Sequence, residues 1–134
     1  MATGTAGTSA VNYGRTMVHF LRKEISFGST GASTGLSMGT IPSGAVISDV
    51  VVNIETAFDA GTTNVLTVGN SSDDDAYLAA GDVTETATGL TRYSGKGVVL
   101  SADTELLVQF VETGTAATAG KAQVIVEFIP DVDG

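Results

Sequence analysis

The chain has no cysteine and no tryptophan, only two prolines, one histidine and six Lys or Arg among 134 residues. Without cysteine there are no disulfide staples, thiolate zinc sites or cysteine nucleophiles, and the redox compartment is left open. Phosphate binding needs clustered Lys and Arg, and a chain with fifteen acids and a net charge of −9 lacks them. Nucleic acid and anionic membrane surfaces are therefore excluded as partners. No apolar run approaches the length of a membrane span. The opening MATGTAGTSAVNYGRT has neither the basic start nor the apolar stretch of a signal peptide. The expectation is a soluble protein made in the cytoplasm.

What is present is small and β-branched. Valine, alanine, threonine and glycine fill short runs separated by small polar residues, which points to one all-β domain. Residues 1–15 have little to bury and read as an extended N-terminal arm, leaving residues 16–134 as a single antiparallel β-sandwich. Residues 16–27 read as a first strand and residues 28–39 as a small-residue loop. Residues 46–55, VISDVVVNIE, alternate: Val46, Val50, Val52 and Ile54 share one face, and Asp49, Asn53 and Glu55 the other. Asp59-Ala60-Gly61 then reads as a tight turn into a strand over residues 64–69, which predicts a hairpin. Residues 76–82 have room for a short helical turn, and residues 84–91 read as extended. Three more strands are predicted over residues 96–100, 105–112 and 121–129, with Pro130 ending the last. Six to eight short strands without internal repeat suggest a jelly roll, with a small barrel as the alternative.

Charge is unevenly placed. Residues 1–23 contain Arg15, Arg22 and Lys23 and no acid, whereas the rest carries all fifteen acids. Such an arm could dock onto an acidic partner, or simply lack acids.

Candidate chemistry is sparse. Acyl transfer needs a nucleophile, a base and an orienting group, and the lone His19 sits in a strand with neither a second His nor a Cys to support it. Glycosidase carboxylates would want aromatic platforms, and the chain has only five Phe, most of them in predicted strands, and three Tyr. Gly28-Ser29-Thr30-Gly31 is followed by no Lys-Ser/Thr pair, so a phosphate loop is discarded. Asp73, Asp74 and Asp75 are the best metal candidate, for calcium, which takes hard oxygen ligands. Their consecutive spacing is not that of a calcium loop, and successive side chains should diverge, so that at most two would serve one ion. The favoured reading is a solvated turn with Tyr77 and Leu78 packed back on the sandwich and the aspartates facing water. No catalytic residue, cofactor or metal is assigned, with calcium kept as the minority reading.

Residues 41–83 carry a Pro-x-Gly turn at Pro42 to Gly44, a valine-rich strand and the element Thr56 to Asn64. A Leu-x-Val-Gly strand at Leu66 to Gly69 and the acidic loop from Asp73 to Ala79 follow. This stretch, about a third of the chain, resembles small virion proteins of tailed bacteriophage heads. The resemblance implies a decoration, or cement, protein: a jelly-roll sandwich binding the outside of the capsid as a homo-oligomer, dimer or trimer, and reinforcing it. The implied partners are the major capsid protein and the chain itself, and the implied location is the virion exterior. Tyr13, Arg15, Arg22 and Lys23 are the expected capsid contacts. A tail or fibre component, or a carbohydrate- or host-surface-binding sandwich, is the alternative.

Overall fold

The computed structural model describes residues 18–94 and 97–130. They form eight strands: β1 (His19–Ser26), β2 (Leu36–Ile41), β3 (Val46–Thr56), β4 (Thr63–Gly69), β5 (Gly89–Tyr93), β6 (Val98–Val99), β7 (Thr104–Thr113) and β8 (Lys121–Ile129). All pairings are antiparallel. The five-stranded sheet runs β1-β8-β3-β5, with β6 also on β3, and the three-stranded sheet runs β2-β7-β4. Leu78 adds a bridge to Val68, extending the smaller sheet past β4. Successive strands switch sheets except from β5 to β6, and the first and second pair with the eighth and seventh. That nesting is the jelly-roll arrangement.

Alternation drives the packing. In β8, Ala122, Val124, Val126 and Phe128 point inward and are buried, while Lys121, Gln123, Ile125 and Glu127 face out. Leu106, Val108 and Phe110 of β7 meet them from the other sheet, and the two inner faces make one apolar core. Phe58 and Phe110 close one end with ring centroids 4.4 Å apart, an aromatic contact worth about 0.5–1.5 kcal/mol beyond burial. Gly120 lies against the Phe58 ring, where a Cβ would overlap it, and its φ of +144° suits glycine alone.

Several expectations change. First, β3 and β4 form no hairpin: β3 pairs with β8, β5 and β6, and β4 pairs with β7. Their apolar faces meet across the core, and the connection carries buried Phe58 as a plug instead of making a two-residue turn. Second, Val46 does not share the face of Val50. The register shifts between Ile47 and Asp49, a bulge that reverses the parity, so Ile47 is buried and Val46 turns outward. Third, the small-residue loop ends early, because residues 36–41 form β2. A second bulge between Ser37 and Gly39 hides its period of two.

Fourth, residues 76–82 form no helical turn, since Leu78 is held by β4. Residues 84–91 contain only the start of β5, and the strand expected over residues 96–100 is reduced to Val98–Val99. The expected arm, residues 1–15, lies outside the described residues.

Candidate functional site

Two surface regions carry the residues of interest. The first is the loop after β4. Asn70 Oδ1 accepts the N–H groups of Ser72 (2.9 Å) and Asp73 (3.0 Å), while the Asn70 N–H donates to the Asp73 carbonyl at 2.8 Å. Asn70 Nδ2 donates to the Tyr77 hydroxyl at 3.0 Å. The Val68 carbonyl accepts the N–H groups of both Tyr77 (2.9 Å) and Leu78 (3.0 Å). Tyr77 and Leu78 are buried at 4% and 0% exposure, as expected, and Asp73, Asp74 and Asp75 are exposed. A Cβ on Gly69 would overlap the Asp73 carbonyl and the Asp74 backbone, so the loop's return path requires glycine there.

The three aspartates do not diverge. One carboxylate oxygen from each lies within 4.8 Å of the others. The chain turns at Asp74 and Asp75 instead of running extended, and a turn places successive side chains on one side. The Asp73 carboxyl, hydrogen-bonded to Asp75 and repelling its charge, raises the Asp75 pKa above its usual value. A hard divalent cation is the ligand this chemistry would suit. Asn70 already holds the Ser72 and Asp73 N–H groups through protein groups alone.

An open groove of 380 Å³ runs from this loop to Thr34 and Gly35, floored by Leu107 and Gln109 of β7. On the loop's other side a 290 Å³ groove meets Asp103, Thr104 and Glu105. Both are polar hollows on the outside of the smaller sheet. Tyr77 is buried and unavailable to stack on a sugar.

The second region is the outer face of the five-stranded sheet. Arg92 of β5 forks onto Glu127 of β8 at 3.0 and 3.2 Å, and its Nη1 also pairs with Asp49 of β3. Lys121 approaches Glu24 (3.3 Å) and Glu55 (3.9 Å). Arg22 Nε donates to Gln123 Oε1 at 2.7 Å, and Gln123 donates on to Glu24 at 3.0 Å. Of the expected contact residues, Arg22 is exposed on this face. Lys23 is half-buried on the opposite side of β1, in line with Leu21 and Ile25. Tyr13 and Arg15 lie outside the described residues. His19 stacks near Phe128, ring centroids 5.8 Å apart.

Sequence reasoning missed two carboxylates. Asp59 accepts from the Thr118 N–H (2.8 Å), the Thr118 hydroxyl (2.8 Å) and the Ala119 N–H (3.0 Å), tying the β3–β4 connection to the β7–β8 loop. These bonds, that from Ala119 foremost, hold its pKa below the usual value. Glu85 is buried and accepts the Leu66 N–H at 2.9 Å, and burial raises its pKa. No sequence signal marks either, because their partners are 19 or more residues away.

The architecture is thus a small jelly roll whose candidate sites are surfaces. No family model matches the sequence, and no curated protein matches it. Solved structures do match in fold. One is a chain of the capsid asymmetric unit of cyanophage Pam1, with TM-score 0.66, 16% identity and 85% of each chain covered. Another, from the capsid of Ralstonia phage GP4, has TM-score 0.55 and 16% identity, covering 86% of this chain and 85% of that one. A third, from the acid-stable capsid of Helicobacter pylori bacteriophage KHP30, has TM-score 0.57 and 14% identity, covering 87% and 91%. At these identities the likeness is one of fold.

Proposed function

We propose that this chain is a structural protein of a bacteriophage virion, a decoration or cement protein that binds the outside of the capsid as a homo-oligomer and reinforces the shell. One observation carries the reading. The jelly roll matches chains of three phage capsid structures over 85–87% of its own length and 85–91% of theirs. The match is therefore between whole folds of similar size, not between this chain and a fragment of something larger.

The surface agrees with such a role. Cementing asks for a rigid body repeated in many copies, whose individually weak contacts sum to firm attachment. The sandwich supplies the body, and the partners are the major capsid protein and further copies of the chain. Residues 1–23, with Tyr13, Arg15, Arg22 and Lys23, are the proposed contribution to the shell contact.

Electron microscopy of particles carrying the chain tests this. Density of this fold on the head exterior is the expected result. Density in the tail or a fibre, or none on the particle, would overturn it.

A further inference from the structure

We propose that copies of this chain meet through one end of the outer face of the five-stranded sheet, along an apolar row made by Val99, Val46, Ile129 and Val18 with Phe20 beside it. The inference rests on the reading of the protein as a homo-oligomeric virion component and names the surface that joins its copies.

Strand register assembles the row. Val46 of β3 faces Val99 of β6 on one side and Ile129 of β8 on the other. The β1–β8 register begins with His19 opposite Phe128, and continued by one residue it would set Val18, just before the strand, beside Ile129. The chain neighbours Ile47 and Phe128 are buried and Val98 packs against the core, so Val46, Ile129 and Val99 point outward together. With strands about 4.8 Å apart, four abreast give a row roughly 14 Å long. Val18, Phe20 and Val99 are 55%, 63% and 65% exposed, and Ile129 is 39% exposed. Single exposed apolar residues are ordinary, but a contiguous set marks a contact surface.

Charge identifies the occupant. Among the described residues every Lys and Arg (Arg22, Lys23, Arg92 and Lys121) lies in this sheet, balanced by Glu24, Asp49, Glu55 and Glu127. The other sheet and the loops hold Asp59, the three loop aspartates, Asp82, Glu85, Asp103, Glu105 and Glu112, with no described cation among them. Two copies approaching by those surfaces bring carboxylates against carboxylates. Approaching by the five-stranded sheet, they bring four cations and four acids that balance within each copy, Arg92 and Lys121 already ion-paired, and apolar side chains that gain from leaving water. A basic partner would be drawn to the opposite side. The partner that fits the row is an equally neutral, apolar patch, and a second copy provides one.

Sedimentation equilibrium of the full chain, from micromolar to hundreds of micromolar, tests the inference. The wild type is expected to associate to a multiple of 13.5 kDa, and raised salt should leave the association intact. Val99→Lys should weaken it by roughly tenfold or more, about 1.4 kcal/mol. Val111→Lys, on the outer face of the other sheet, should leave it unchanged. Melting curves confirm that each variant folds, and Phe20→Ser serves as the second row variant should Val99→Lys not fold. A chain monomeric throughout, association abolished by salt, or association broken by Val111→Lys and not by the row variants would overturn the inference. A monomer that still decorates heads would overturn it while leaving the decoration reading intact.

Discussion

At the scale of single residues, two carboxylates make opposite statements about pH. Asp59 is held below its ordinary value of 3.8 by hydrogen bonds from Ala119 and Thr118. Its stabilising contribution is present above the unfolded-state value and is lost as pH falls through the lower folded value. Asp59→Asn should therefore melt at lower temperature than wild type near neutrality, with the gap closing in acid. Glu85 is raised above 4.5 by burial, so its contribution is full below 4.5 and is lost as pH rises through the folded value. Glu85→Gln keeps an oxygen to accept the Leu66 N–H and removes the titration. That variant should gain stability relative to wild type as pH rises toward neutrality, and a melting series at several pH values reads both effects. Gly69 makes a steric statement instead. Gly69→Ala forces a methyl into the Asp73 and Asp74 backbone and should cost about 1–3 kcal/mol, measured by urea unfolding.

At the scale of elements, what could be read depended on whether the period of two ran unbroken. β7 and β8 keep strict alternation over ten and nine residues, and their predicted bounds fall within a residue of the observed ones. β3 alternates too, but its bulge at Ser48 reverses the parity of everything before it, and no residue type announces a bulge of this kind. β2 was lost for the same reason, with glycines at residues 35 and 39 reading as loop. The β3–β4 hairpin failed on another ground, since local sequence shows that the chain turns but not which sheet it enters next. Phe58 was the available clue, a large aromatic in a segment otherwise read as turn. It is 1% exposed and stacks on Phe110. The crossing between sheets is expected to depend on it: Phe58→Ala should lose about 3–5 kcal/mol in denaturant unfolding, far more than an exposed turn residue would. The acidic loop was legible as a turn with Tyr77 and Leu78 tucked in. The convergence of its three aspartates was not, because three consecutive acids show no spacing that reveals how tightly the backbone turns at Asp74 and Asp75.

At the scale of the whole molecule, the net charge of −9 conceals a polarity that linear order misrepresents. The sequence places half of the cations in an acid-free leading segment and every acid after it. The fold divides them by sheet instead, because β1 delivers Arg22 and Lys23 to the strand layer that already holds Arg92 and Lys121. Within the sandwich Arg22 is held by the neutral Gln123 side chain, which orients its guanidinium without neutralising it. Residues 2–14 carry no charge, so whatever they add to attachment is not electrostatic. The described sandwich begins its first strand at His19 and builds its core from residue 25 onward. Deleting residues 2–14 should accordingly leave the melting temperature nearly unchanged while lowering occupancy on phage heads, and the loss should persist at high salt, where screening removes exposed ion pairs. Equal occupancy with and without the segment would show that the sandwich alone makes the shell contact. Wild-type occupancy that falls as salt is raised would instead assign the contact to charged groups such as Arg15 and Arg22.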